Sequence, residues 1–156
     1  MFYARDEVRG LAFPRATRME ALEFFLTAQQ RETIEHQSLA PVESDFVTAY
    51  AGYAADELLG YAFIDTHQVR TLPETFLVVV DPDGQIASVH VLAFYEPLEY
   101  LPADRWLSQY RGMRLDAGLR VGDRVAGITG ATLTAHAING GIRRALAMYS
   151  VLIAER

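Results

Sequence analysis

Gly127-Ile128-Thr129-Gly130-Ala131-Thr132-Leu133-Thr134 gathers the residue types best suited to hold a charged ligand. Glycine and alanine at 130 and 131 let a ligand approach the backbone closely. The threonines place hydroxyls where an apolar helical repeat begins, and a helix starting there leaves its first N–H groups unpaired. Donors and helix dipole then point the same way, which suits an anion and above all a phosphate. A threonine hydroxyl is a weak nucleophile without a base beside it. The plainer alternative is a glycine-containing loop in which Thr132 only caps the last helix.

Other chemistry-bearing residues are scattered. Asp65 and His67 lie two apart on a strand-like stretch, so both can point into one pocket. They are either a ligand contact or a polar pair on a sheet face. A metal site from Asp65, His67 and His90 would need convergence across strands. His90 reads as a hydrogen-bonded core histidine. His136 follows the threonine segment, where a cationic imidazole is disfavoured, so exposure is expected. His36 falls near a helix C-terminus. Glu96-Pro97 either ends a strand or turns toward a ligand. No Ser/His/Asp set or glutamate pair supports a hydrolase.

Composition narrows the classes. The 156 residues are read as one domain, with 1–40 as a lead-in of helix and strand and 44–156 as the core. A net charge of −6 and no Lys/Arg run argue against nucleic acid and anionic lipid as partners. Absence of cysteine removes disulfides, thiolate metal sites and thiol nucleophiles. The sequence holds no apolar run of membrane-spanning length, and its first residues do not read as a signal peptide.

The elements that must position these groups follow from periodicity. Residues 4–12 predict a short helix stopped by Pro14, and 17–26 lean toward strand. Thr27 and Gln30 form a capping box, so a helix should follow and end before Pro41. Strands are expected at 46–50, 58–66, 75–80 and 86–95, with 51–56 as a turn and Asp81-Pro82-Asp83-Gly84 as another. Short turns argue for an antiparallel sheet, with helices covering one face. Residues 102–110 predict a short helix with Pro102 at its first position, and 111–125 an irregular loop. Ile138, Ile142, Leu146, Tyr149 and Ile153 predict a final helix from about Leu133 to the end. Arg143 and Arg144 are expected in solvent. Gly140-Gly141 suggests a close approach to a sheet or ligand. The fold class is α+β: an antiparallel sheet backed by helices, the C-terminal helix starting at the cofactor site.

Thr129-Gly130-Ala131-Thr132-Leu133-Thr134 running into an amphipathic helix resembles the signature of the FMN-binding domain family. That family includes flavoprotein subunits of sodium-pumping NADH:quinone reductases, Rnf-type complexes and nitrous-oxide-reduction regulators. Val91 to Pro97 resembles the family strand that ends near the flavin, and Phe63 to His67 with Val69-Arg70 resembles the nitrous-oxide-regulator branch. The resemblance implies an electron-carrying FMN joined through its phosphate to Thr132 by an FAD-dependent flavin transferase. Thr129, Gly130, Ala131, Leu133 and Thr134 complete the cradle, and Glu96, Pro97 and His67 are implied flavin contacts. It also implies a redox partner protein or membrane electron-transfer complex, and a periplasmic or extracytoplasmic location. One position departs: Ala126 stands where the family has an aspartate, and Asp123 is three residues out of register. Non-covalent binding of flavin, or of another phosphate ligand, therefore stays open.

Overall fold

The structure is a computed structural model and describes residues 5–69, 72–94 and 100–154. Five strands form one sheet in the order β1-β2-β3-β4-β5: Arg18–Phe25, Phe46–Ala54, Glu57–Val69, Leu72–Val80 and Ile86–Phe94. Every neighbouring pair is antiparallel, so the sheet is a meander, as the short turns predict. The helices are α1 (Arg5–Ala12), α2 (Ala28–Ser38), α3 (Asp104–Ser108) and α4 (Thr132–Met148), and a π-helical turn, Tyr149–Ala154, continues α4.

Local signals account for most boundaries. Thr27 accepts from the Gln30 N–H and Gln30 from the Thr27 N–H, which starts α2. Leu39 then turns left-handed and ends it ahead of Pro41. Between β4 and β5, Gly84 takes φ +86 while the Asp81 carboxylate accepts from the Asp83 and Gln85 N–H groups. Two expectations are corrected. β2 runs through 51–54 because the Phe13 ring packs over Gly52 and fills the space a side chain would need. Pro102 precedes the cap of α3 instead of opening it, since Ala103 is the N-cap.

Helices cover both faces, not one. α4 packs its buried Ile138, Ile142 and Leu146 on Phe63, Phe76, Val78 and Val80. On the opposite face, Val8 of α1 and Phe13 cover Ala62, Leu77 and Val79. β4, buried on both sides, is the apolar centre that its composition predicts. A third cluster ties Ile34 of α2 to Val47 of β2, with Ala147, Val151 and Leu152 at the far end of α4 and its π turn.

Candidate functional site

The long connection from α3 to α4 is held by side chains rather than by regular structure. Tyr110, fully buried, donates its hydroxyl to Asn139 Oδ1 at 2.7 Å, and Asn139 Nδ2 donates to the Leu119 carbonyl at 3.1 Å. Tyr110 is thus a core residue, and burial pushes its hydroxyl pKa up. Arg143 donates to the carbonyls of Ser38 (2.8 Å), Gln37 (3.2 Å), Asp116 (3.1 Å) and Leu119 (2.7 Å), joining the end of α2 to the connection. The expectation that Arg143 is solvated is overturned, because these carbonyls replace its water. Asp123 pairs with Arg120 at 3.7 Å on the surface. Ala126 has its backbone fixed from α3. Trp106 Nε1 donates to its carbonyl at 2.6 Å, and Gln109 Oε1 accepts its N–H at 2.9 Å.

From that fixed point the chain enters the helix start. Ala131 N–H bonds the Ile128 carbonyl at 3.0 Å, closing a tight turn through Gly130 at φ +79. No atom lies within 4 Å of where a Gly130 Cβ would stand, so the turn borders open space. Ala131 is the N-cap and Thr132 the first helical residue, and no side chain caps the helix. Thr132 therefore does not act as the N-cap. Among the described residues no side chain accepts from the N–H groups of the first turn, and no acidic residue in that turn competes for them. Thr129, Gly130 and Thr132 are exposed, as is Leu133 at 58%. Thr134 is buried, so the hydroxyls that face outward here are those of Thr129 and Thr132. His136 is exposed, as expected.

Asp65 and His67 take part in a different construction. Asp65 Oδ2 meets His67 Nδ1 at 2.7 Å, and His67 Nε2 meets Glu74 Oε2 at 3.3 Å. Arg144 closes the other side, its Nε and Nη2 both donating to Asp65 Oδ1. Burial alone would lower the His67 pKa, but its hydrogen bonds to Asp65 and Glu74 outweigh that and raise it to about 9. Burial alone would raise the Asp65 pKa, but the His67 bond and the Arg144 charge hold it below the usual range. An imidazolium and a guanidinium thus balance two carboxylates inside the fold. Arg144 is half-buried, against the expectation of solvent.

The network sits where Gly141 of α4 meets β3, since a Cβ at 141 would stand 2.7 Å from Asp65 Cγ. That is the close approach to the sheet that Gly140-Gly141 suggests. Thr132 lies nine residues earlier, about 13 Å along the axis at 1.5 Å per residue. Asp65, with His67 bound to it, lies against the middle of α4. His90 joins neither. It opposes Leu77, which opposes Ile64, so it lies on the other face of the sheet from Asp65 and bonds Ser88 Oγ at 2.9 Å. Burial lowers its pKa. Among the described residues no group of three or more acidic or histidine side chains is arranged for a metal. Tyr95, Glu96, Pro97 and Arg70 lie outside the described residues. Glu74 was missed in the sequence; its signal was a lone acid in the apolar run Leu72–Val80.

Residues 72–147 match the family model described as FMN-binding domain. No curated protein matches the chain. Among solved structures, the crystal structure of NqrC from Shewanella oneidensis superposes with a TM-score of 0.64 at 15% identity, covering 98% of this chain and 89% of that one. The α+β fold, with its five-stranded antiparallel sheet and C-terminal helix, is similar to that of NqrC. The stretch from β4 through α4 is thus similar to an FMN-binding domain, and FMN is its cofactor.

Proposed function

We propose, with the FMN-binding domain of residues 72–147 as the premise, that the chain is an electron carrier whose FMN is esterified to Thr132. The observation that carries the reading is the start of α4. There an outward hydroxyl on the first helical residue follows an open glycine turn, and among the described residues no side chain takes the free N–H groups. A phosphate monoanion suits that place because donors and helix dipole both face it. Thr129 and Gly130 would border the phosphate on the turn side and Leu133 on the helix side. FMN, when bound, supplies the redox chemistry, while the protein fixes its position and surroundings.

Attachment forms a bond from Thr132 Oγ1 to the FMN phosphorus of FAD, breaks the pyrophosphate bond and releases AMP, the hydroxyl proton passing to a base on the transferase. Among the residues of the turn and first helical turn, none is a carboxylate that could take it, which is why a second protein is needed. The electron partner in this reading is a redox protein or a membrane electron-transfer complex, and the location is extracytoplasmic. Cell fractionation checks the location.

The experiment is the intact mass of the chain co-expressed with a flavin transferase. A gain of FMN less one water, retained on denaturation and lost in Thr132→Ala, supports the proposal. A colourless chain at bare mass overturns it. Ala126 at the family's aspartate position favours a second reading, FMN held at the same helix start without a bond. Yellow colour that dialyses away supports that one.

A further inference from the structure

β2 and β3 pair from Ala54 and Glu57 as far as Ala49 and Phe63 and no further, although β2 begins at Phe46 and β3 runs on to Val69. Each strand keeps its other neighbour along the unpaired stretch. Phe46, Val47 and Thr48 still oppose Phe25, Phe24 and Glu23 of β1. Ile64, Asp65 and Thr66 still oppose Leu77, Phe76 and Thr75 of β4. The sheet therefore parts, and a cavity of about 220 Å³ opens between the two halves. Phe46, Val47 and Phe63 are apolar walls, and Met148 and the Arg144–Asp65 pair also line it.

Phe46, one wall of this cavity, continues onto an exposed apolar surface of β1. Phe25 and Phe46 are 78% and 45% exposed, yet their rings are in contact at 5.0 Å between centroids. Neither lies among the residues that α1 covers on this face of the sheet. Two aromatic rings held together in water form the kind of patch that marks an interaction site. Two carboxylates, one lining the cavity and one opposite Thr48 on β1, are not neutralised by the described residues. Glu43 lines the cavity, and Glu23 shares the face of Phe25 two residues on. Neither has an ion-pair partner among the described residues, whereas Glu20 pairs with Arg18 and Asp45 with Arg31.

We propose that this split in the sheet is a docking site for a partner protein that inserts one large apolar side chain flanked by lysine or arginine. The cavity is smaller than those that enclose a drug-sized ligand, so it takes a side chain, with Phe25 and Phe46 covering the flanking backbone. Charge selects the partner, because Glu23 and Glu43 attract cations and repel an acidic surface. A second copy fits badly. Pairing β1 antiparallel with its own copy over its full length sets Glu20 against Glu23. An anionic lipid surface meets the same two carboxylates.

The test uses the full chain and three peptides, acetyl-Lys-Trp-Lys-amide, acetyl-Glu-Trp-Glu-amide and acetyl-Lys-Ala-Lys-amide, followed by backbone amide NMR. The lysine–tryptophan peptide should give saturable shifts at Phe25, Phe46, Thr48 and Ile64. The alanine peptide should give none. The acidic peptide, or a Glu23→Gln/Glu43→Gln chain with the basic one, should bind about tenfold more weakly, near the upper end for two exposed ion pairs. Phe25→Ala, at an exposed position that leaves the core intact, should weaken binding while leaving the remaining spectrum unchanged. Equal binding of the acidic and basic peptides, or shifts elsewhere, overturns the proposal. Sedimentation as a dimer that Phe25→Ala abolishes would assign the face to a second copy instead. Co-flotation with phosphatidylglycerol vesicles would assign it to lipid.

Discussion

Gly140 and Gly141 stand side by side in α4 and should respond oppositely to the same substitution. In a helix interior alanine is favoured over glycine by about 1 kcal/mol, through backbone entropy. At 140 the nearest atom to a new Cβ is Ala40 Cβ at 3.8 Å, ordinary contact, so Gly140→Ala should stabilise the fold by up to about 1 kcal/mol. At 141 the same methyl would stand 2.7 Å from Asp65 Cγ. Asp65 must then move, and it is the carboxylate that both His67 and Arg144 hold. Breaking a buried ion pair costs about 3–5 kcal/mol, which outweighs the gain in propensity and leaves a net loss of roughly 2–4 kcal/mol. For a chain of this size that lowers Tm by roughly 5–15 °C. Urea and thermal unfolding of the two single variants measure the difference. The double variant Asp65→Ala/Gly141→Ala should be less harmed than the sum of its parts, since the clash goes with the carboxylate. If Gly141→Ala is as stable as Gly140→Ala, the close approach of α4 to β3 is not what selects glycine, and the reasoning fails.

Three further outcomes follow from the same structure. His67 has its pKa raised to about 9 from an ordinary 6.5, so its contribution is fully present below pH 6.5 and is lost as pH rises through about 9. The loss is at most about 3 kcal/mol, and unfolding free energy against pH should flatten over that window in His67→Gln. Arg143→Ala should cost about 3 kcal/mol and expose the connection at 111–125 to protease, because four carbonyls on two segments lose their donor. Arg143→Lys should recover only part, since an ammonium lacks the planar fork that reaches them together. Trp106→Phe removes the bond to the Ala126 carbonyl, so amide hydrogen exchange at 126–132 should quicken for about 1 kcal/mol of global stability.

Legibility in the sequence tracks how local the cause is. Thr27 and Gln30 are three residues apart and cap α2 by themselves, and Pro82 with Gly84 sets its turn unaided. Arg143 and Arg144 read as solvated, because a charged residue on a helix does so unless its partners are visible. Theirs lie at Ser38 and Asp65, 105 and 79 residues away. Gly52 reads as a turn residue, and only Phe13, brought across from the end of α1, shows why it stays in a strand. The covering of both sheet faces was likewise out of reach, because α1 is eight residues long and carries one buried side chain of its own.

The helix start at Thr132 combines both cases. Threonine, glycine and alanine in that order are a local signal, and the structure adds what order could not: which hydroxyls face out. A cap would have turned the Thr132 oxygen onto the helix's own N–H groups and used them. Ala131 takes the cap position and, having no side-chain oxygen to offer, leaves the donors and the Thr132 hydroxyl together without a partner among the described residues. The neighbouring Thr134, two residues on, is turned into the core and withdrawn from competition. Replacing Ala131 by serine would therefore do more than add a hydroxyl. It would supply the missing acceptor, favour the helix by about 1 kcal/mol, and occupy the N–H groups that an anion needs. Stability should rise while FMN loading, read by absorbance and intact mass, falls. A variant that gains stability and loads FMN undiminished would mean that the phosphate is not held by the end of this helix.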